Sequence, residues 1–259
     1  MCILSYLPPN TPVDVDGLFN GGLHNPDGHG WAIVAGESII SGRALDLADA
    51  LDAFATARER YPDGPALFHS RWATHGSVRL DNVHPFCVGG SQLTVVAHNG
   101  ILPTVAHPAK GDDRSDTRVF ADEILPRQFR RLDKAGVQRA LSQWCGKGNK
   151  LVILTTDPRY RRSAYLVNES AGQWDTETGI WHSNGDYIAA PKWPATVGHA
   201  ALLEDYYDCC AVCGDGRIDD RDGYCVGCQS CQDCMEHRRD CMCWSRTYVA
   251  MQEWGRLAR

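Results

Sequence analysis

The chain has 259 residues, 43% of them hydrophobic, with a formal net charge of -6 and a pI of about 5.9. That length and apolarity suit one substantial core with a small appendage, and the acidic balance excludes a chain-wide basic field for nucleic acid. No apolar run reaches membrane-spanning length and no charged-then-apolar leader opens the sequence, so the expectation is a cytoplasmic address with no membrane contact.

The opening stretch, MCILSYL, sets a cysteine directly behind the initiator methionine. Methionine aminopeptidase removes Met1 when the second residue is small, which would leave Cys2 with a free α-amine beside its thiol. An α-amine titrates near pH ~8 and can act as base for its own thiol. Alone, a cysteine in second place is more often coincidence than catalyst.

Short apolar runs bounded by Gly, Pro, Asn or Asp then alternate with helical patterns. GWAIVAG, ALFHSRWAT, LTVVAHNG, KLVILTT and SAYLVN read as strands. ALDLADALDAFATARERY spaces Leu47, Ala48, Leu51, Phe54 and Ala55 for one helix face. SDTRVFADEILPRQF predicts a second helix, capped by Ser115 or Asp116, with Val119, Phe120 and Ile124 buried and Pro126 ending or kinking it. The sequence shows neither a dinucleotide fingerprint nor a phosphate loop. Mixed α and β structure follows for residues 1–204, and a last stretch, WSRTYVAMQEWGRLAR, reads as a closing amphipathic helix.

Three stretches carry candidate chemistry. FHSRWATHGS gathers Arg71, Trp72, Thr74 and His75, where a guanidinium fork suits a carboxylate and Thr and His add donors. VVAHNGIL ends on Asn99-Gly100, which reads either as a two-residue hairpin turn or as a pair of donors for an oxyanion. DDRSDTRVFADE sets Asp116 at a helix start, where a capping aspartate is the plainer reading.

Taken with Cys2, the segments NPDGHGWAI, RWATHG, NVHPF, HNG and SDT make the first 190 to 200 residues resemble the class II glutamine amidotransferases, members of the N-terminal-nucleophile hydrolases. The resemblance implies an α+β fold of four layers, αββα, with two stacked antiparallel sheets between helices. It also implies roles residue by residue. Cys2 would attack the glutamine side-chain amide, and Asn99 and Gly100 would stabilise the oxyanion. Arg71, helped by Thr74 and His75, would hold the substrate α-carboxylate, Asp116 its α-ammonium, and Trp72 would stand at the ammonia exit. A zwitterionic substrate does require one cation and one anion on opposite sides, and Arg71 with Asp116 supply them. The motif HNPDGHGWAIV is closer to the stand-alone relatives than to the large sugar-phosphate synthases. The expected activity is therefore glutaminase chemistry with ammonia passed to a separate synthetase or ligase. Two alternatives stay open: cleavage of a γ-glutamyl amide in a small metabolite, and a catalytically silent zinc-binding adaptor.

Residues 205–259 differ in kind. Nine of the twelve cysteines fall between Cys209 and Cys243. Cys210-x2-Cys213 and Cys225-x2-Cys228, eleven residues apart, read as two knuckles of a four-thiolate zinc site. Cys231, Cys234, Cys241 and Cys243 could hold a second ion, with His237 as a substitute ligand, which leaves Cys209 spare. The expectation is a zinc-ribbon-like module with one or two structural zinc ions. Disulfides are disfavoured by the cytoplasmic address. An iron–sulfur cluster on the three-residue repeat from Cys225 to Cys234 is the competing ligation. The acidic and basic residues of this tail nearly balance, so docking a protein or covering the first domain is expected of it rather than binding nucleic acid.

Overall fold

The computed structural model describes residues 2–73, 77–188, 224–231 and 237–239. The chain divides into two compact units, Met1–Ala190 and Pro191–Arg259. The sequence-expected boundary at 204/205 and the closing helix lie outside the described residues.

In chain order the first unit runs β1 (Ile3–Leu7), α1 (Val15–His24), β2 (His29–Ala35), β3 (Ser38–Ala44), α2 (Leu47–Arg60) and β4 (Ala66–Ser70). It continues through β5 (Phe86–Val88), β6 (Ser91–Asn99), α3 (Asp116–Val119), a π-helical turn (Phe120–Ile124), α4 (Leu125–Gln128) and α5 (Ala135–Cys145). β7 (Lys150–Thr155), β8 (Ala164–Val167), β9 (Gln173–Trp174) and β10 (Trp181–His182) complete it. Two sheets result, ordered β3-β2-β4-β1-β10-β9 and β5-β6-β7-β8, and every pairing is antiparallel.

Strand alternation sorts the core into three layers. In β1, β2, β6 and β7, Leu4, Ala32, Val34, Val95, Ala97, Val152 and Leu154 point into one cluster shared by both sheets. Their neighbours point the other way: Leu7, Trp31 and Ile33 meet Leu18 of α1 and Leu51 and Phe54 of α2. On the far side Val96, Leu151 and Ile153 meet Phe120, Leu125 and Leu141. Helices therefore cover the outer face of each sheet, giving the α+β, four-layer αββα arrangement.

The helices depart from expectation in two details. α2 is capped by Asp46, whose carboxylate accepts from Asp49 N–H at 3.0 Å, and its buried face is Ala50, Leu51, Phe54 and Arg58. Ala48 is exposed and Ala55 only half-buried, because the face follows Leu47, Ala50, Leu51, Phe54 and Arg58 around the helix. The Arg58 guanidinium buries by donating to the carbonyls of Thr11, Pro8 and Gly64. The second predicted helix is interrupted rather than ended at Pro126. Proline cannot supply an N–H to the carbonyl four residues back and its ring crowds that carbonyl, and the chain widens into the π turn just before it. Val119, Phe120 and Ile124 are buried as expected.

Among the described residues no helix is long and apolar enough to cross a membrane. In the second unit, Tyr224 pairs with Cys231 and Ser230 with His237 in isolated antiparallel bridges around the turn 225–230.

Candidate active site

The layer between the sheets is apolar in its middle and polar at one end. Cys2, His69, Arg71, Asn99 and Ser183 continue the inward-facing positions of Leu4, Leu67, Ala97 and Trp181 by steps of two. The register sets Ile3 opposite Ser70 and Ser5 opposite His182, so Cys2 ends its strand beside Arg71 and Leu4 lies beside Ser183.

Cys2 is seated in a backbone bracket. Its Sγ lies 3.4 Å from Trp72 O and receives Trp72 N–H at 3.3 Å, and its carbonyl accepts from Asn184 Nδ2 at 3.1 Å. Burial pushes the thiol pKa up. The Trp72 N–H, the chain's terminal ammonium and the Arg71 guanidinium oppose that rise, while Asp116 adds to it. The thiol is therefore near both the cation and the anion singled out in the sequence.

Arg71 is 2% exposed. Its peptide N–H donates to Gly28 O at 2.9 Å, its carbonyl accepts Asp27 N–H at 2.8 Å, and its Nη1 donates to Ser77 O at 2.9 Å. Burial lowers the guanidinium pKa, and Cys2, Asp27 and Asp116 support its charge. Asp27 also accepts from Ala73 N–H at 2.7 Å, which ties the loop before β2 to the arginine segment. Gly28 holds that loop at φ +124°, a conformation that favours glycine, and a Cβ there would meet Val83. Trp72 is 45% exposed. Thr74 and His75 lie outside the described residues.

Asn99 is 1% exposed and closes β6. The Asn99-Gly100 pair is not a two-residue hairpin turn, since the strand that pairs with β6 arrives only at Lys150, after three helices. Gly100 sits at φ +137° against Asn149, whose Oδ1 a Cβ would overlap. That oxygen is already occupied by His98 Nε2 at 2.7 Å, and His98 Nδ1 meets Thr117 Oγ1 at 2.9 Å. Burial lowers the His98 pKa, so the ring bridges as a neutral group.

Ser115, not Asp116, caps α3: its hydroxyl accepts from Arg118 N–H at 3.2 Å. Asp116 turns inward, one oxygen accepting from Leu102 N–H at 2.9 Å and the other from Thr117 N–H at 2.7 Å. Asp116 is thus buried to 7% exposure and held by two peptide N–H groups.

Several organising residues carried no role in the sequence reading. Asn82 donates to Asp113 O at 2.8 Å and Ser77 O at 3.2 Å and accepts from Ser115 N–H at 3.0 Å. It thus joins the carbonyl that receives Arg71 to the segment that presents Asp116. His69 and His84 pack against each other with ring centroids 4.0 Å apart and planes tilted by 42°, and burial lowers His69 to about 3. Ser183 and Asn184 reach β1 from the end of β10. A fully polar run such as HSNGD after an apolar strand was the available signal, but its partners are about 180 residues away in sequence.

In the second unit, Cys225 Sγ receives the N–H groups of Gly227 at 3.3 Å and Cys228 at 3.4 Å. Cys225 and Cys231 are buried. Cys210, Cys213, Cys234, Cys241 and Cys243 lie outside the described residues, and among the described residues no three metal-ligating side chains gather.

The sequence has relatives of known function. It is 34% identical over 92 residues to the glutamine–fructose-6-phosphate aminotransferase of Chlamydia caviae, covering 36% of this chain and 15% of that one. It is 26% identical over 194 residues to the enzyme of the same name from Methanothermobacter thermautotrophicus, covering 69% of this chain and 29% of that one. The chain thus spans less than a third of the length of these curated relatives. A solved structure of glutamine phosphoribosylpyrophosphate amidotransferase from B. subtilis superposes over 71% of this chain and 42% of that one, with TM-score 0.46 and 16% identity. No protein-family profile matches the chain. Over these stretches the chain is similar in sequence to glutamine–fructose-6-phosphate aminotransferases.

Proposed function

We propose that this protein hydrolyses the side-chain amide of glutamine through Cys2, exposed as the N-terminal residue by loss of Met1, and delivers the ammonia to a separate synthetase or ligase. The observation that carries the reading is the convergence of a bracketed thiol, a buried guanidinium, a buried carboxylate and a buried amide at one end of the inter-sheet layer.

In this mechanism Arg71 and Asp116 hold the α-carboxylate and α-ammonium and so aim the side-chain amide at Cys2. The Cys2 Sγ attacks the amide carbonyl carbon while its proton passes to the Cys2 α-amine. Negative charge moves to the carbonyl oxygen, where the Asn99 amide and the Gly100 N–H stabilise it. Collapse breaks the C–N bond, the α-ammonium returns its proton to the leaving nitrogen, and ammonia departs from a γ-glutamyl thioester. Water then cleaves the thioester to glutamate and restores the thiol. Burial raises the thiol pKa, so the resting group is the neutral thiol, which is what a step using the neighbouring amine as base requires.

The test is intact mass before and after incubation with a glutamine-like diazo ketone, alongside release of ammonia from glutamine. Loss of Met1, one adduct on Cys2, and complete loss of turnover in a folded Cys2→Ala variant are expected. A Cys2→Ala variant with wild-type turnover would overturn the nucleophile. Turnover of a γ-glutamyl metabolite without turnover of free glutamine would move the substrate to that class, and an inert protein would favour the silent adaptor.

For the second unit we propose structural zinc held by Cys210, Cys213, Cys225 and Cys228, with Cys231, Cys234, Cys241 and Cys243 for a second ion. Supporting this, Cys225 Sγ is buried, receives two peptide N–H groups and has Cys228 packed against it. Zinc would supply folding energy to a segment poor in apolar residues.

A further inference from the structure

Ser183 is 1% exposed and is fastened to β1 on both sides of Leu4: its N–H donates to Leu4 O at 2.8 Å, and its Oγ receives Leu4 N–H at 2.9 Å. The same Oγ lies 2.9 Å from the side-chain amide of Asn99. With the Asn99 Nδ2 turned toward Ser183, the hydroxyl oxygen accepts from both Leu4 and Asn99, as its two lone pairs allow, while Asn99 Oδ1 is buried with no partner. The two ends of an asparagine amide have nearly the same shape, and the surrounding hydrogen bonds decide which faces where. Turning the amide over gives Asn99 Oδ1 a donor and the hydroxyl proton an acceptor. Leu4 N–H still donates to Ser183 Oγ, the hydroxyl proton goes to Asn99 Oδ1, and the buried position without a partner passes from an acceptor to an N–H donor. An unpaired inward donor is costly in a resting core, yet it is what a developing oxyanion needs.

We propose that Ser183 is a positioning residue that fixes the orientation of the Asn99 amide, so that its NH2 rather than its carbonyl faces the developing oxyanion. This rests on the amidohydrolase reading given above. Leu4 stands two residues from Cys2, so a single hydroxyl ties the oxyanion donor to the strand that carries the nucleophile.

The test is steady-state glutamine hydrolysis by Ser183→Ala and the nearly isosteric Ser183→Cys, each made in the wild-type and the Asn99→Ala backgrounds. In the wild-type background Ser183→Ala should lower kcat about 10- to 100-fold with KM changed less than about 2-fold, because the lost interaction is made in the transition state. Ser183→Cys, with a weaker donor, should lose less but measurably. In the Asn99→Ala background either substitution should cost under about 2-fold, since the group it acts through is gone. If Ser183→Ala does not fold, Ser183→Cys carries the same comparison. Unchanged kcat in the folded variants, or equal loss in both backgrounds, overturns the assignment. A wild-type protein inert toward glutamine, γ-glutamyl amides and the diazo ketone would instead overturn the hydrolase reading, and this inference with it.

Discussion

Between the sheets, Leu4, Ala32, Val95 and Leu154 meet through carbon alone, whereas at the turn around Cys225 the buried atom is a sulfur with two peptide N–H groups pointed at it. The first region is held by removing apolar surface from water, spread over a cluster of nine buried residues that no single one of them controls. Among the described residues of the second, the buried cluster is Cys225 with Cys228 packed against it. Under the zinc proposal, cohesion there depends on the metal, and it should fail at once when the metal is taken away.

The largest expected effect therefore belongs to the second unit. Under the zinc proposal, a strong chelator should strip the ion, counted by native mass spectrometry, and collapse the amide protection of residues 224–231 measured by hydrogen exchange. Structural zinc in small modules is worth about 10–16 kcal/mol in apparent terms, more than any one side chain in a sandwich core. The inter-sheet strands β1, β6 and β7 should keep their protection throughout. Unchanged protection of residues 224–231 after complete metal loss would break the comparison.

The two regions also differ in how far the sequence could be read. The sandwich's strands were legible because Val95, Val96 and Ala97 or Leu151, Val152 and Ile153 form runs that only a strand buried on both faces requires. The α2 stripe was legible only in part: Ala48 and Ala55 look like core residues by hydropathy, while Arg58 is the residue that buries, because Thr11, Pro8 and Gly64 supply its acceptors from afar. The same limit applied at the site. Cys2, Arg71, Asn99 and Asp116 stood out as residue types near turns, but Asn82, Ser183 and the His69–His84 pair act through partners that no local pattern encodes. Asp116 could not be told from a cap by spacing, since Ser115 beside it serves equally well and takes the position.

A middle-sized effect comes from the buried histidines. Burial holds His69 at about 3 in the folded protein, against an ordinary value near 6.5 in the unfolded chain. Below about pH 6.5 the unfolded chain takes up a proton that the folded one refuses, so the stability is complete above that pH and is lost as pH falls toward 3. At pH 5 His69 alone should cost the sandwich about 2 kcal/mol relative to pH 7, read as a shift in the urea midpoint. His69→Gln should remove that share of the pH dependence. Equal pH slopes for the variant and the wild type would show that His69 is protonated without penalty.

The smallest expected effect is the most informative about the polar end of the layer. Arg71→Lys keeps a positive charge beside Cys2 but replaces a planar five-donor fork by a compact ammonium that cannot grip a carboxylate side-on with two parallel bonds. Its backbone hydrogen bonds with Gly28 and Asp27 are unaffected by the change, so the bracket around Cys2 Sγ should stand. The Nη1 bond to Ser77 O and the grip on a substrate carboxylate then compete for one ammonium group. KM for glutamine should rise about 10-fold while kcat stays within about 2-fold, the pattern of an interaction made equally in ground and transition states. Steady-state kinetics at saturating and limiting glutamine separate the two. An unchanged KM would remove Arg71 from the carboxylate site and leave it as the buried cation that supports Cys2 and Asp116. A kcat that fell with KM unchanged would place its charge at the thiol instead.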